Sequence, residues 1–161
     1  MHSTDILIPD APVTTAIDVR FAETDQMGVV HHSSYVVWFE VGRVAWMKAA
    51  RMPYAEVADS GYNLAVTAIH AAYRASCRFG DTVQLITRLT KLRSRQVEFS
   101  YEVRHSVDQT LLATGSSEHI CVDSAGKMTK IPLPFYERLY AGAEQLAANS
   151  REVRSREVVE S

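Results

Sequence analysis

Two periodicities divide this chain. From Tyr35 to about Arg51, in YVVWFEVGRVAWMKAAR, apolar residues fill most of a helical circumference, and Glu40, Arg43, Lys48 and Arg51 form its polar stripe. Such a helix is buried on most sides. Ser33 or Ser34 is placed to cap its start, and Pro53 follows its end. Beyond a turn-rich connection, EVADSGYN, the period shortens to two. In IHAAYRASCRF the odd positions Ile69, Ala71, Tyr73, Ala75, Cys77 and Phe79 are apolar, and VEFSYEV alternates Val97, Phe99, Tyr101 and Val103 with polar residues. TVQLITRLTKL and TLLATGSSEHICVD read as strands with weaker alternation. Alternation of this kind marks an antiparallel sheet with one packed face. The connections at Gly80-Asp81, Arg93-Ser94 and Asp108-Gln109 are too short for parallel crossovers.

Ahead of the helix, VTTAIDVRFA from Val13 predicts a first strand. A final helix follows Pro132 and Pro134, with Tyr136, Leu139, Tyr140, Ala143 and Ala147 on one face. The expected class is therefore α+β, one antiparallel sheet covering a long buried helix. A single sheet face covers only about half of such a helix, so a second subunit is expected to cover the rest. The expected organisation is a leader over 1–12, a single domain over 13–147 and a polar tail over 148–161 that frays.

Composition narrows the function classes. The length of 161 residues suits one domain with a real core. A net charge of −2 gives no electrostatic reason to expect nucleic acid. No run approaches the ~18 apolar residues of a membrane span, and MHSTDILIPDAP lacks the pattern of a secretory signal. Cys77 and Cys121 lie in apolar runs and read as buried free thiols, so a reducing cytoplasm is the expected compartment.

The candidate chemistry lies between the first strand and the helix, in RFAETDQMGVVHHSS. Asp25 can cap a turn or act on a substrate. A metal site built from Asp25, His31 and His32 lacks any further ligand spacing. Ser33 and Ser34 lack the G-x-S-x-G elbow of a nucleophile. Glu40 and Arg43 are spaced to pair along the helix. No Walker or dinucleotide loop is present, and no cofactor is expected.

The stretch ETDQMGVVHHSSYVVWFEVGR closely resembles the signature of the 4-hydroxybenzoyl-CoA thioesterase family of hotdog-fold enzymes, T-D-x-x-G-x-V-x-H-x-x-Y-x-x-x-x-E-x-x-R. The later YRASCRFGD resembles that family's central strand and Gly-Asp turn. The resemblance covers about residues 13 to 145. It implies a five-stranded sheet wrapped around the central helix, and homodimers that pair their sheets edge to edge or homotetramers built from them. It also implies sites at the subunit interface and hydrolysis of acyl-CoA or acyl-carrier-protein thioesters.

Carried over by position, the resemblance makes Asp25 the nucleophile or the general base, two roles the sequence leaves open. It makes the backbone N–H of His32 the oxyanion donor, at a helix start where unpaired N–H groups and the helix dipole favour negative charge. Gly28 lets the loop fold tightly against a ligand. The His32 ring either orients water or the carboxylate, or only its backbone matters. Phe21 stands where a number of relatives have tyrosine, and Ser34 where many have asparagine. A thioester suits this equipment, because its leaving thiol has a pKa of about 8.5 and needs little acid help. Tyr35, with Trp38 and Phe39, either lines the acyl pocket or belongs to the core. The phosphates of CoA call for cations. Lys91, Arg93 and Arg95 at a strand turn, and Arg74 with Arg78 on a strand face, are candidates, or are simply solvated. An acyl-carrier-protein thioesterase with the same chemistry and a non-catalytic acyl-CoA-binding module are the alternative readings.

Overall fold

The apolar helix runs as α1, His32–Ala49, and five strands surround it: β1 (Val13–Asp18), β2 (Asn63–Tyr73), β3 (Thr82–Leu92), β4 (Gln96–His105) and β5 (Leu111–Val122). A short α2 (Tyr54–Asp59) and a long α3 (Leu133–Val159) complete the chain. The computed structural model describes residues 6–159. Residues 1–5 of the expected leader and 160–161 of the expected tail lie outside the described residues. The strands form one antiparallel sheet in the order β1-β3-β4-β5-β2, with β1 and β2 as its edges.

Burial explains the wrapping. Tyr35, Trp38, Phe39, Gly42, Arg43, Trp46 and Met47 of α1 face inward. They meet the alternate residues of the central strands, Val83, Leu85 and Leu89 on β3 and Val97, Phe99, Tyr101 and Val103 on β4. Phe39 stacks on Tyr101 at 4.5 Å between ring centroids. Gly115 of β5 makes room for that pair, because a Cβ there would collide with the Phe39 ring and the His70 carbonyl. The sheet wrapped around its helix is the hotdog arrangement that the resemblance implies. One face of α1, carrying Val37, Val41 and Val44, stays exposed.

The structure corrects several expectations. The second strand occupies Asn63–Tyr73 rather than Ile69–Phe79. After Tyr73 the chain leaves the sheet, with the Arg74 and Ala75 amides both bonded to the Leu112 carbonyl. Cys77 is buried because its carbonyl pairs with the Val30 amide, at 2.9 Å, and not through membership of β2. Gly80-Asp81 therefore ends a crossover: β2 pairs with β5, while β3 lies between β1 and β4. The first four residues of the turn-rich connection, 56–59, are helical and complete α2. Arg43 does not pair with Glu40; it is buried with its guanidinium 5.8 Å from the Tyr54 ring centroid, while Glu40 faces out. The polar tail stays helical to Val159, with Ser150 and Ser155 hydroxyls bonded one turn back to the carbonyls of Leu146 and Arg151. Its charged residues are good helix formers, so solvent exposure does not unwind it.

Candidate active site

The loop before α1 is a tight hairpin. Thr24 bridges Val30, the Asp25 amide donates to the Val29 carbonyl at 2.8 Å, and the Gly28 amide donates to the Asp25 carbonyl at 3.0 Å. Gly28 has φ +76°, a left-handed conformation that favours glycine. A Cβ there would also sit 3.1 Å from the Arg78 guanidinium. One carboxylate oxygen of Asp25 accepts the Met27 amide at 2.8 Å, the bond that closes an Asx turn. The other has no partner among the described residues, so the turn-capping and chemical roles of Asp25 are compatible.

Glu23, which the sequence reading passes over, welds this hairpin to α1. Its carboxylate is almost fully buried and accepts the Arg20 amide at 3.0 Å, the Arg20 guanidinium at 2.9 Å and the Trp38 indole N–H at 3.3 Å. Burial pushes its pKa up, but the bonds from Arg20 and Trp38 and the Arg20 charge outweigh that and hold it below the ordinary carboxylate value. Its carbonyl oxygen accepts the His31 amide at 2.8 Å and the Ser34 hydroxyl at 3.2 Å. A glutamate two positions before a loop aspartate gives no periodic signal, so only long-range packing exposes this role.

The helix tip is capped by His31, not by Ser33 or Ser34. His31 Nδ1 accepts the Ser33 amide at 3.2 Å and lies 2.7 Å from the Ser33 hydroxyl. Accepting there requires the tautomer protonated at Nε2. The Ser34 amide donates to the His31 carbonyl at 3.0 Å. Of the four amides from His31 to Ser34, three are thus satisfied, and only His32 N–H has no acceptor among the described residues. That orphan donor sits at the positive end of the α1 dipole, where a developing oxyanion is stabilised.

Other candidates separate. Tyr35 is 3% exposed and belongs to the core, its hydroxyl 3.6 Å from the Cys77 sulfur, so it offers no open wall in the single chain. Burial pushes both the Tyr35 hydroxyl and the Cys77 thiol up, which keeps Cys77 protonated and poorly nucleophilic at neutral pH. Arg74 and Arg78 lie at the hairpin's end of the sheet, and Arg78 reaches the Gly28 carbonyl at 3.4 Å. Lys91, Arg93 and Arg95 lie at the β3–β4 turn, about 30 Å away along β3 at ~3.3 Å per residue. Lys91 there pairs with Glu98 at 3.0 Å. One chain does not bring that cluster to Asp25. Beside the hairpin, Phe21 (75% exposed) and Phe79 (62% exposed) meet edge to face at 5.8 Å.

The hairpin and helix tip together offer a carboxylate and an unpaired N–H on one short segment, the equipment for attack on an activated carbonyl. The chain is similar to known thioesterase-like proteins. A family model described as the thioesterase-like superfamily matches residues 19–146. YneP of Bacillus subtilis is 35% identical over 107 residues, 66% of this chain and 77% of that one. The crystal structure of the hypothetical protein TT1821 from Thermus thermophilus is 41% identical, with a TM-score of 0.75 over 78% of this chain and 95% of that one. A DHNA-CoA thioesterase from Staphylococcus aureus is 28% identical, with a TM-score of 0.75 over 86% of this chain and 95% of that one. With the hotdog sheet, the hairpin and the helix tip all in place, the chain belongs to the thioesterase-like superfamily.

Proposed function

We propose that this protein hydrolyses acyl-CoA thioesters to the free acid and CoA. The observation that carries this reading is the unpaired His32 N–H beside the Asp25 hairpin. The thioester carbonyl oxygen would accept that N–H. Asp25 would then attack the acyl carbon, or take a proton from the water that does. In the first route the C–S bond breaks as Asp25 forms a mixed anhydride that a water then cleaves, and in the second the water's oxygen bonds the acyl carbon as the C–S bond breaks. Both give the free acid, with the CoA thiolate taking up a proton from that water. The name of the Staphylococcus aureus relative, a DHNA-CoA thioesterase, supports the substrate class. The binding-module reading has no observation of its own in its favour.

The active unit in this reading is a dimer with the site at its interface. The outer edge of β2 is unpaired among the described residues, and Val66 and Ile69 on that strand are exposed. An open edge beside an apolar surface invites a second sheet. The domain is taken as residues 13–147. The two cysteines, free and buried, suit a reducing cytoplasm.

Thiol release from a panel of acyl-CoAs tests the reading. Asp25→Asn should lower kcat by at least ~100-fold while the protein stays folded. A variant that turns over near the wild-type rate removes Asp25 from the mechanism.

A further inference from the structure

Tyr73 is the last residue of β2, opposite Ala113 of β5, and it is 47% exposed. Its hydroxyl donates to the carbonyl oxygen of His32 at 2.9 Å. Its ring lies edge-on to the His32 ring at 6.5 Å and to the Tyr35 ring at 5.2 Å. The first carbonyls of a helix are already acceptors for amides one turn later, so this bond is not needed to close α1. It is an additional hold, from a different element, on the one residue at the helix tip whose amide is unsatisfied.

The surrounding bonds sharpen the point. The His31 amide on Glu23 holds the peptide before His31, and the His31 carbonyl, in the peptide that carries the His32 N–H, accepts the Ser34 amide. The next peptide, between His32 and Ser33, is gripped at its N–H by the His31 ring and at its carbonyl by Tyr73. The Tyr73 grip comes from outside the hairpin and fixes the backbone on the far side of the His32 Cα. An N–H donor stabilises an oxyanion in full only when its direction is set before the charge develops.

We infer that Tyr73 is a positioning residue for the reaction, a latch from the edge strand that sets the orientation of His32 so that its N–H faces the developing oxyanion. This rests on the reading of Asp25 and His32 given above. The latch acts on the transition state more than on bound substrate, because the ground-state carbonyl carries less charge. Removing it should therefore show in kcat and spare KM. Tyr73 also lies on the strand whose outer edge is open, so pairing a second chain along β2 would fix the latch in place.

The test is steady-state thiol release by Tyr73→Phe, Tyr73→Leu and Asp25→Asn, with thermal unfolding of each variant. Tyr73→Phe keeps the ring and loses only the hydroxyl. It should lower kcat roughly tenfold, with KM within about twofold and Tm unchanged, on the usual size of a misaligned catalytic donor. Tyr73→Leu should be no better. If Asp25→Asn is inactive but Tyr73→Phe matches wild type, or loses activity only through KM or in step with a lower Tm, the latch is wrong and the site stands. If Asp25→Asn remains active, the site itself is misassigned and the latch falls with it.

Discussion

The indole N–H of Trp38 donates to the buried carboxylate of Glu23 at 3.3 Å, tying the body of α1 to the chain two residues before Asp25. Trp38 is a core residue of the helix and Glu23 closes the turn Phe21–Glu23, so the candidate loop is anchored to the most buried element of the fold.

Glu23→Ala leaves the Trp38 indole and the Arg20 amide without their acceptor. It should cost about 2 kcal/mol in urea unfolding, the usual penalty for orphaned buried donors. Because the Glu23 pKa is lowered in the folded chain, its contribution is fully present above pH 4.5 and disappears as the pH falls below that value through the lowered one. The variant should therefore be less acid-sensitive than wild type below pH 4.5. Equal sensitivity would mean that Glu23 carries no charge-dependent stability.

His119 should dominate a higher pH window. Its Nε2 lies 2.8 Å from the Ser117 hydroxyl, which in turn lies 2.6 Å from the Tyr101 hydroxyl, and its Nδ1 is buried without a partner among the described residues. Burial first, and the Arg43 charge second, push its pKa down from 6.5 to about 4. Between those values the unfolded chain binds a proton that the folded chain refuses. Stability is then complete above pH 6.5 and falls by up to about 3 kcal/mol as the pH drops to about 4. His119→Gln keeps a hydrogen-bonding partner for Ser117 and should flatten that slope. Urea midpoints for both proteins at pH 7, 5.5 and 4.5 decide it; parallel curves would acquit His119.

Recognition of the CoA nucleotide should fall first on Arg74, which is exposed at the hairpin's end of the sheet, whereas its exposed neighbour Arg78 already reaches the Gly28 carbonyl. Arg74→Ala should raise KM for an acyl-CoA about fivefold and leave the matching acyl-pantetheine unchanged, in line with a lost charge-assisted bond to phosphate. Alanine at Arg93 or Arg95 should have that effect only if a second chain carries the β3–β4 turn to the site. Equal losses on both substrates would show that Arg74 does not read the nucleotide.

Much of the fold is legible from local pattern. The apolar circumference of α1 and the alternation Val97-Phe99-Tyr101-Val103 each report burial directly, since period and exposed face are properties of a segment alone. The shifted second strand shows where that logic stops. Cys77 is apolar and buried, so it extends the alternation on paper, yet its backbone pairs with Val30 across the chain. Arg43 fails as a partner of Glu40 for a similar reason: it turns inward and packs against Tyr54, on a helix that turn-forming residues conceal.

The sequence by itself determined the antiparallel α+β class and the buried central helix, because these follow from residue spacing and local backbone preference; the segment holding Asp25, Gly28 and His32 was picked out by its resemblance to the thioesterase signature. Only the tertiary structure decided that His31 caps the helix, that Glu23 and Tyr73 hold the loop and its tip, and that the Lys91-Arg93-Arg95 turn lies at the other end of the sheet. Those relationships depend on strand order and on hydrogen bonds between residues as far apart as Tyr73 and His32. Such pairings leave no periodicity behind, since each is set by where whole elements pack and not by the residues flanking it.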